Sequence, residues 1–150
     1  MKKLFLTVAW ATLWVSGSAF AQPTSEAKPQ YKTPELTPAQ IDDWLAKPDK
    51  VLVIDIRRPD ELIKFGSFPV FLSIQYSDLE KYAAFIPKDR SIITVSNHAG
   101  RAFRAGDLLS EKGFKVVGAA GSENYEQQGG KAVSKIQPRE RNPVTAAAAQ

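Results

Sequence analysis

Between residues 36 and 130, short apolar runs alternate with stretches in which apolar residues recur at helical spacing. The runs at residues 51–56 and 91–95 are mostly aliphatic and β-branched, a pattern typical of strands that are buried on both faces of a parallel sheet. A further apolar run occupies residues 68–74, and residues 114–117 are predicted to form another short strand. The pattern therefore predicts several buried strands that are joined by helices.

The start of the first helix is marked at Thr37. This residue is predicted to be the N-cap, Pro38 stands in the first turn, and Gln40 closes a capping box. The other predicted helices lie at residues 60–65, from Ser77 or Asp78 to residue 85, and at residues 101–112 and 123–128. This alternation implies right-handed crossovers, so the predicted fold class is α/β, with a mainly parallel sheet and helices on both faces.

The first 21 residues have the pattern of a secretory signal peptide. Two lysines precede a short apolar run, and Ala19 and Ala21 form a small-x-small site, so cleavage is predicted after Ala21. An uncleaved anchor is the alternative, but the apolar run is short and is interrupted by Thr and Ser. We therefore expect export to the periplasm, with no stable membrane span after cleavage.

Composition at the two ends sets the predicted domain limits. Residues 22–34 are polar and Pro-rich and are predicted to be a linker, residues 35–133 to be the folded domain, and residues 134–150 to be a flexible tail. Cleavage of residues 1–21 removes two lysines and no acid, so the net charge falls from +4 to +2. Such a small charge of mixed signs excludes a nucleic-acid partner.

The chain has no cysteine and one histidine, His98. Disulfides, thiolate metal sites, iron–sulfur clusters and cysteine nucleophiles are therefore excluded, and a site built from several histidines is excluded as well. We predict neither a metal nor a cofactor. The chemistry of any site has to come from hydroxyl, carboxylate, guanidinium and main-chain groups.

The loop after residues 91–95 is the predicted site, because ligands of parallel sheets bind at the carboxyl ends of the strands. Its sequence is Ser96-Asn97-His98-Ala99-Gly100-Arg101. Small residues let the backbone curl so that N–H groups point inward, the next helix adds its positive N-terminal dipole, and the arginine adds further donors. Such a loop is suited to an oxyanion; an ordinary strand-to-helix turn is the alternative.

Several segments, taken in order, carry a resemblance to a known family. They are residues 51–61, which include Asp55, Arg57 and Glu61, and residues 66–70, 79, 86–89, 96–101, 105–114 and 120–125. In order and spacing they resemble the rhodanese-like (thiosulfate sulfurtransferase) family over about residues 36–130. The resemblance implies a rhodanese-like three-layer sandwich. It also implies that Asp55 and Arg57 form a buried pair at the end of a strand.

The sequence departs from the family pattern at positions that matter for chemistry. The resemblance implies a loop cysteine that accepts a sulfane sulfur and passes it on as a persulfide, and that position is Ser96 here. The histidine of the family's Gly-His-Ile-Pro-Gly is Ser67, the first glycine of its Gly-Gly-x-x-x-Trp is Ala120, and the Trp is Tyr125. A hydroxyl forms no persulfide and ionises far less readily than a thiol.

We therefore predict an exported rhodanese-like domain that acts as a non-catalytic binding or regulatory module, with a link to sulfur metabolism implied by the resemblance. Its expected partner is a small oxyanion or a periplasmic protein. The alternative is a residual enzyme, either a sulfurtransferase relative or a hydrolase in which His98 activates Ser96, although an i, i+2 pair is expected to splay apart. A purely structural interaction protein is a third hypothesis. Arg101 is expected to bind the anion, to brace the loop by pairing with Glu61, or to do both.

Overall fold

The computed structural model describes residues 30–135 of the chain. One sheet contains four strands in the order β2-β1-β3-β4, with bounds β1 Val51–Asp55, β2 Phe71–Ser73, β3 Ser91–Ser96 and β4 Val116–Gly121. All neighbouring pairs are parallel, so each connection has to cross over the sheet. This arrangement confirms the predicted α/β fold class. The predicted signal peptide and most of the predicted tail lie outside the described residues.

In residues 30–135, five α-helices surround the sheet. Their bounds are α1 Pro38–Leu45, α2 Pro59–Phe65, α3 Leu79–Tyr82, α4 Gly100–Glu111 and α5 Ser122–Gln127. Single 3-10 turns at Tyr76–Asp78 and Ala83–Phe85 flank α3. Within the described part of the chain, no helix combines the length and the apolar character that a membrane crossing needs.

Two hydrophobic cores lie on opposite faces of the sheet, because successive side chains of a strand point to opposite sides. In β1, Leu52 and Ile54 face the core that is shared with α3 and α4. Val51 and Val53 face the other core, which is shared with α1 and α5. Both β1 and β3 are buried along their whole length. The loops at the carboxyl ends of these two central strands are therefore attached to fully buried elements.

Helix α1 begins as the sequence predicted. The N–H of Gln40 donates to Oγ1 of Thr37 at 3.4 Å, and the N–H of Thr37 donates to Oε1 of Gln40 at 2.9 Å, which closes the capping box. Ile41 is buried, and Trp44 and Leu45 pack against the same core. The predicted apolar face of this helix is therefore the face that contacts the sheet.

The strand that we predicted at residues 114–117 is shifted along the chain, to Val116–Gly121. Phe114 instead lies in the turn that follows α4, where its N–H donates to the carbonyl of Leu109 at 3.0 Å. Gly113 has a φ of +80°, and this left-handed residue makes the turn that ends the helix. The second half of β4 consists of glycine and alanine, so it lacks the apolar run that identifies a buried strand.

The helix that we predicted up to residue 85 keeps only one α-helical turn, at Leu79–Tyr82. The side chain of Asp78 forms no capping hydrogen bond to it. Leu79 and Ala83 are buried, whereas Phe85 is largely exposed. The apolar spacing that predicted the helix therefore corresponds to burial only at Leu79 and Ala83.

The edge of the sheet at β4 is covered by the segment that precedes α1. The N–H of Leu36 donates to the carbonyl of Ala119 at 2.9 Å, and the N–H of Ala119 donates to the carbonyl of Pro34 at 2.8 Å. The carboxylate of Asp107, on α4, also accepts hydrogen bonds from the N–H and the hydroxyl of Thr33, both at 2.8 Å. At the opposite edge, β2 pairs only with β1 among residues 30–135.

Candidate functional site

A tight turn joins β3 to α4. Ala99 has φ of +60° and ψ of −24°, a left-handed conformation that is strained for a residue with a side chain. The N–H of Gly100 donates back to the carbonyl of His98 at 2.7 Å. A turn of this shape brings successive N–H groups to its concave side. Residues 96–101, the loop identified from the sequence, therefore form one curled unit at the carboxyl end of β3.

Several main-chain donors of this loop have no acceptor in residues 30–135. They are the N–H groups of Asn97, His98, Ala99 and Arg101. The first turn of an α-helix always leaves N–H groups unpaired, and the aligned peptide dipoles of a helix favour negative charge at this end. Helix α4 has 12 residues, long enough for this effect. The loop therefore offers an anion several donors and a favourable dipole at once.

Gly121, at the end of β4, lets the loop lie close to the sheet. A Cβ atom at this position would stand 2.9 Å from the nitrogen of Ala99 and 2.9 Å from the carbonyl oxygen of Asn97. Both are main-chain atoms, which cannot rotate away as the end of a side chain does. Any larger residue at position 121 would therefore displace the turn. From the sequence, Gly121 stands only in the segment that resembles the family's Gly-Gly-x-x-x-Trp; its contact with the loop could not be predicted, because the two segments are distant in the chain.

Ser96, the last residue of β3, is 1% exposed. Its Oγ accepts the N–H of Ala102 at 3.2 Å, and it thereby caps the third residue of α4. A hydroxyl that accepts a bond keeps its own hydrogen available to donate. Ser96 thus holds the start of α4 in place, and among residues 30–135 its hydroxyl donates no hydrogen bond of its own.

A buried ion pair supports the loop from below. Nε and Nη2 of Arg57 donate to the two carboxylate oxygens of Asp55 at 2.9 and 2.7 Å, and both side chains are 0% exposed. The remaining donors reach Oδ1 of Asn97 at 2.8 Å, Oγ of Ser122 at 2.9 Å and the carbonyl of Gly66 at 2.6 Å. The guanidinium therefore ties β1, the loop, α5 and the end of α2 together.

A second ion pair lies at the surface of the loop. Nη1 of Arg101 donates to Oε2 of Glu61 at 3.0 Å, and Nη2 donates to Oε1 of the same carboxylate. Oε1 also accepts from Nδ2 of Asn97 at 3.1 Å. The Glu61 side chain is 12% exposed and that of Arg101 is 43% exposed. Arg101 thus braces the loop against α2, as the sequence allowed.

The charge of Glu61 is strongly stabilised in this position. Hydrogen bonds from the Arg101 guanidinium lower the pKa of the Glu61 carboxyl from 4.5 to about 2, against the opposing effect of burial. The same pair raises the pKa of Arg101 above its ordinary value. The guanidinium is therefore already neutralised, so an incoming anion meets main-chain donors rather than a free cation.

His98 points away from Ser96. Its Nδ1 lies 3.2 Å from Oδ1 of Asn124, and its Nε2 lies 3.7 Å from Oε1 of Glu123. The imidazole is 66% exposed, whereas Ser96 is buried. Among the described residues, the two side chains share no hydrogen bond, so the geometry that serine nucleophiles need is absent from this pair.

The structure also places aromatic groups beside the loop that no sequence motif pairs. Tyr31 stacks on Phe103 with ring centroids 5.2 Å apart. Nε of Arg104 donates to the hydroxyl of Tyr31 at 3.2 Å. These contacts join the segment before α1 to the first turn of α4. No short motif could have revealed them, since the paired residues are more than 70 positions apart.

Comparison with known proteins relates this geometry to a fold family. No protein-family model matches the chain, and no curated protein matches its sequence. A rhodanese-related protein from Thermoplasma volcanium is similar to it, with 25% identity and a TM-score of 0.59 over 67% of this chain and 97% of that one. A rhodanese-like domain protein from Staphylococcus aureus has 16% identity and a TM-score of 0.58 over 69% and 99%.

A third solved structure, from Rhodopseudomonas palustris, is described as a protein of unknown function and possible tyrosine phosphatase. It shares 21% identity with this chain, with a TM-score of 0.58 over 67% of this chain and 84% of that one. At this level of identity the similarity concerns the fold. The chain therefore has the rhodanese-like α/β fold, and its structural neighbours support the resemblance to the rhodanese-like family.

Proposed function

We propose that the protein is an exported rhodanese-like domain that binds a small oxyanion in the loop of residues 96–101 and does not transfer sulfur. The observation that carries this proposal is the set of unpaired main-chain N–H groups at the start of α4, together with the hydroxyl of Ser96. Sulfate, thiosulfate and phosphate each present several acceptor oxygens. Such a ligand can engage several of these donors simultaneously.

The charge balance of the loop limits the strength of this binding. Arg101 is paired with Glu61, and Arg57 is paired with Asp55. Attraction then comes from main-chain donors and from the helix dipole, which are weaker than an unpaired guanidinium. We expect a Kd of about 1 mM for a free oxyanion, which corresponds to roughly 4 kcal/mol. A periplasmic protein that presents an anionic side chain would use the same donors.

The absence of sulfur transfer follows from the chemistry of position 96. Persulfide transfer requires a sulfur atom that attacks the donor and carries the sulfane sulfur to the acceptor. Ser96 provides an oxygen, and the chain contains no cysteine that could replace it. The environment that would favour a thiolate, at the N-terminus of α4, is retained. In this proposal, the domain has the anion-binding donors at the N-terminus of α4 but lacks the reactive sulfur atom of the family's site.

The serine hydrolase alternative has less support. His98 faces Asn124 and Glu123 rather than Ser96. The hydroxyl of Ser96 is engaged as an acceptor for the first turn of α4. The description of the Rhodopseudomonas palustris neighbour as a possible phosphatase concerns that protein. A screen of phosphate and sulfate esters tests this alternative, and turnover that is lost in Ser96→Ala would revive it.

The test of the proposal is an NMR titration with sulfate, thiosulfate and phosphate. Saturable shifts are expected at the amides of Asn97, His98, Ala99 and Arg101, with a Kd near 1 mM. Arg101→Ala should weaken binding about tenfold, because the Glu61 carboxylate then faces the anion without its partner. The matched control is Arg58→Ala, which removes an exposed arginine that pairs with Asp60. If the loop amides do not shift, the oxyanion proposal is wrong.

A further inference from the structure

An apolar surface lies on the β2 side of the sheet. In the described part of the chain, every large hydrophobic residue that is exposed comes from residues 63–85: Ile63, Val70, Leu72, Tyr76, Tyr82 and Phe85. Phe85 is the most exposed of these six, at 81%. Soluble monomers rarely leave such a group of neighbouring apolar side chains in contact with water. Something is therefore expected to cover this surface.

A groove of about 700 Å³ runs through the surface. Its walls come from the first residue of α2, Pro59, from Leu72 on β2, and from Tyr82 and Phe85 around α3. A single carboxylate, that of Asp78, lines it and forms no ion pair among residues 30–135. The outer edge of β2 supplies main-chain donors and acceptors. An extended segment with a basic residue and an apolar residue fits such a groove.

The chain itself leads toward this groove. The N–H groups and carbonyls of Ser67 and Ser134 exchange two hydrogen bonds of 3.0 Å. Nζ of Lys135 then donates to the carbonyl of Lys64 at 3.2 Å. Lys64 and Pro59 lie on the same helix, five residues and hence about 8 Å apart. Three or four extended residues after Lys135 can span that distance, and fifteen residues follow it in the sequence.

We propose that residues 139–144 of this same chain bind in the groove. This segment reads Arg-Glu-Arg-Asn-Pro-Val. Arg139 or Arg141 would pair with Asp78, and Val144 would pack against Tyr82 and Phe85. A tethered segment of this length acts at a millimolar effective concentration, so it competes well with a second copy of the chain at ordinary concentrations. The segment thereby shields the open edge of the sheet from other strands.

Hydrogen exchange followed by mass spectrometry tests this proposal on the full chain and on a variant that ends at Lys135. The amides of residues 72–78 should exchange about tenfold faster in the shortened variant. A synthetic peptide of residues 136–150 should restore slow exchange in a saturable manner. Equal exchange in the two proteins contradicts the proposal. Protection that persists without the tail, in a protein that sediments as a dimer, would assign the surface to a second copy instead.

A charge swap in the full chain keeps the test decisive if the shortened variant fails to fold. Asp78→Lys should accelerate exchange at residues 72–78, and the further changes Arg139→Asp and Arg141→Asp should restore protection. Val144→Asp should have the same effect as Asp78→Lys. The matched control is Glu140→Gln, which lies in the same segment and changes neither the basic nor the apolar contact. Failure of the charge swap to restore protection overturns the proposed pairing.

Discussion

Two arginines, 44 positions apart, hold the same loop in different ways. Arg57 is fully buried and donates to Asp55, Gly66, Asn97 and Ser122. Arg101 is 43% exposed, and its side chain donates to a single carboxylate, that of Glu61. One guanidinium lies within the fold and the other lies at its surface. Both are paired with an acid, so charge alone does not distinguish them.

The difference lies in what the removal of each arginine leaves behind. Without Arg57, the buried carboxylate of Asp55 loses its partner. In addition, β1, the loop, α5 and the end of α2 lose the donor that they share. Without Arg101, Glu61 becomes unpaired, but water can reach it and the main chain of the loop keeps its other hydrogen bonds. Arg57 is therefore expected to determine whether the loop and the segments around it fold stably. Arg101 is expected to determine how strongly the loop binds an anion.

The largest expected effect is that of Arg57→Ala. Removal of one partner from a buried ion pair costs about 3–5 kcal/mol, a large part of the stability of a domain of this size. Urea denaturation monitored by circular dichroism measures this loss. The matched control is Arg58→Ala, whose ion pair with Asp60 is exposed and should contribute less than about 1 kcal/mol. Similar losses in the two variants would contradict the assigned role of Arg57.

The next effect is that of Gly121→Ala. The added Cβ would stand 2.9 Å from the nitrogen of Ala99, so the turn has to move and its donors lose their common direction. Overpacking of this kind costs about 1–3 kcal/mol, and oxyanion shifts at the loop amides should disappear. Gly100→Ala is the control, because a Cβ there meets no atom within 4 Å. Intact binding in Gly121→Ala would show that the turn is not the binding element.

A smaller effect is expected for Glu61, and it depends on pH. The pKa of Glu61 is lowered to about 2 in the folded protein, from 4.5, so the folded state favours the ionised form. The stabilisation is complete above pH 4.5 and is lost as the pH falls toward 2. After screening at the partly exposed Arg101, we expect a contribution of about 1–2 kcal/mol.

Comparison of the wild type with Glu61→Gln measures this contribution. The difference in unfolding free energy should be greatest near neutral pH and should shrink as the pH is lowered from 5 to 3. Asp60→Asn serves as the control, since Asp60 lies on the same helix but is exposed. A difference between wild type and Glu61→Gln that is constant with pH would rule out the Arg101 pair as its source.

The smallest expected effect on stability is that of Ser96→Ala. It removes one hydrogen bond, from the N–H of Ala102, and this should cost about 1 kcal/mol. The same change removes the donor hydroxyl, so oxyanion binding should weaken by about three- to tenfold. Thr94→Val is the control for the loss of a buried hydroxyl, since Thr94 bonds the carbonyl of Ala102 on the same helix. Equal oxyanion binding in wild type and Ser96→Ala would exclude the hydroxyl from the site.

The sequence predicts the fold well where local patterns are strong. The apolar runs at β1 and β3 and the cap at Thr37 identify their elements directly. It fails at β4, because the Gly-Ala-Ala-Gly end of that strand carries no hydrophobic signal, and at α3, because half of its apolar positions face water. In both places tertiary packing, rather than local propensity, determines the element.

In the candidate site, too, the sequence predicts residues within one segment but not contacts between distant segments. The loop of residues 96–101 follows from its position after a buried strand, and the partners Asp55, Arg57 and Glu61 follow from the resemblance to the rhodanese-like family. The support from Gly121 and Ser122 depends on where β4 ends relative to β3. The orientation of His98 toward Asn124 also depends on α5. Such contacts between segments more than 20 residues apart leave no trace in a local sequence pattern.

The central claim is that the loop binds a small oxyanion, such as thiosulfate, and does not transfer sulfur from it. A single preparation of the protein with thiosulfate tests both halves, by NMR titration of the loop amides and by thiocyanate formation after addition of cyanide. We expect saturable shifts at the amides of Asn97, His98, Ala99 and Arg101 with a Kd of about 1 mM, and thiocyanate formation at the uncatalysed rate. Thiocyanate formed catalytically, or loop amides that do not respond to thiosulfate, would contradict the claim.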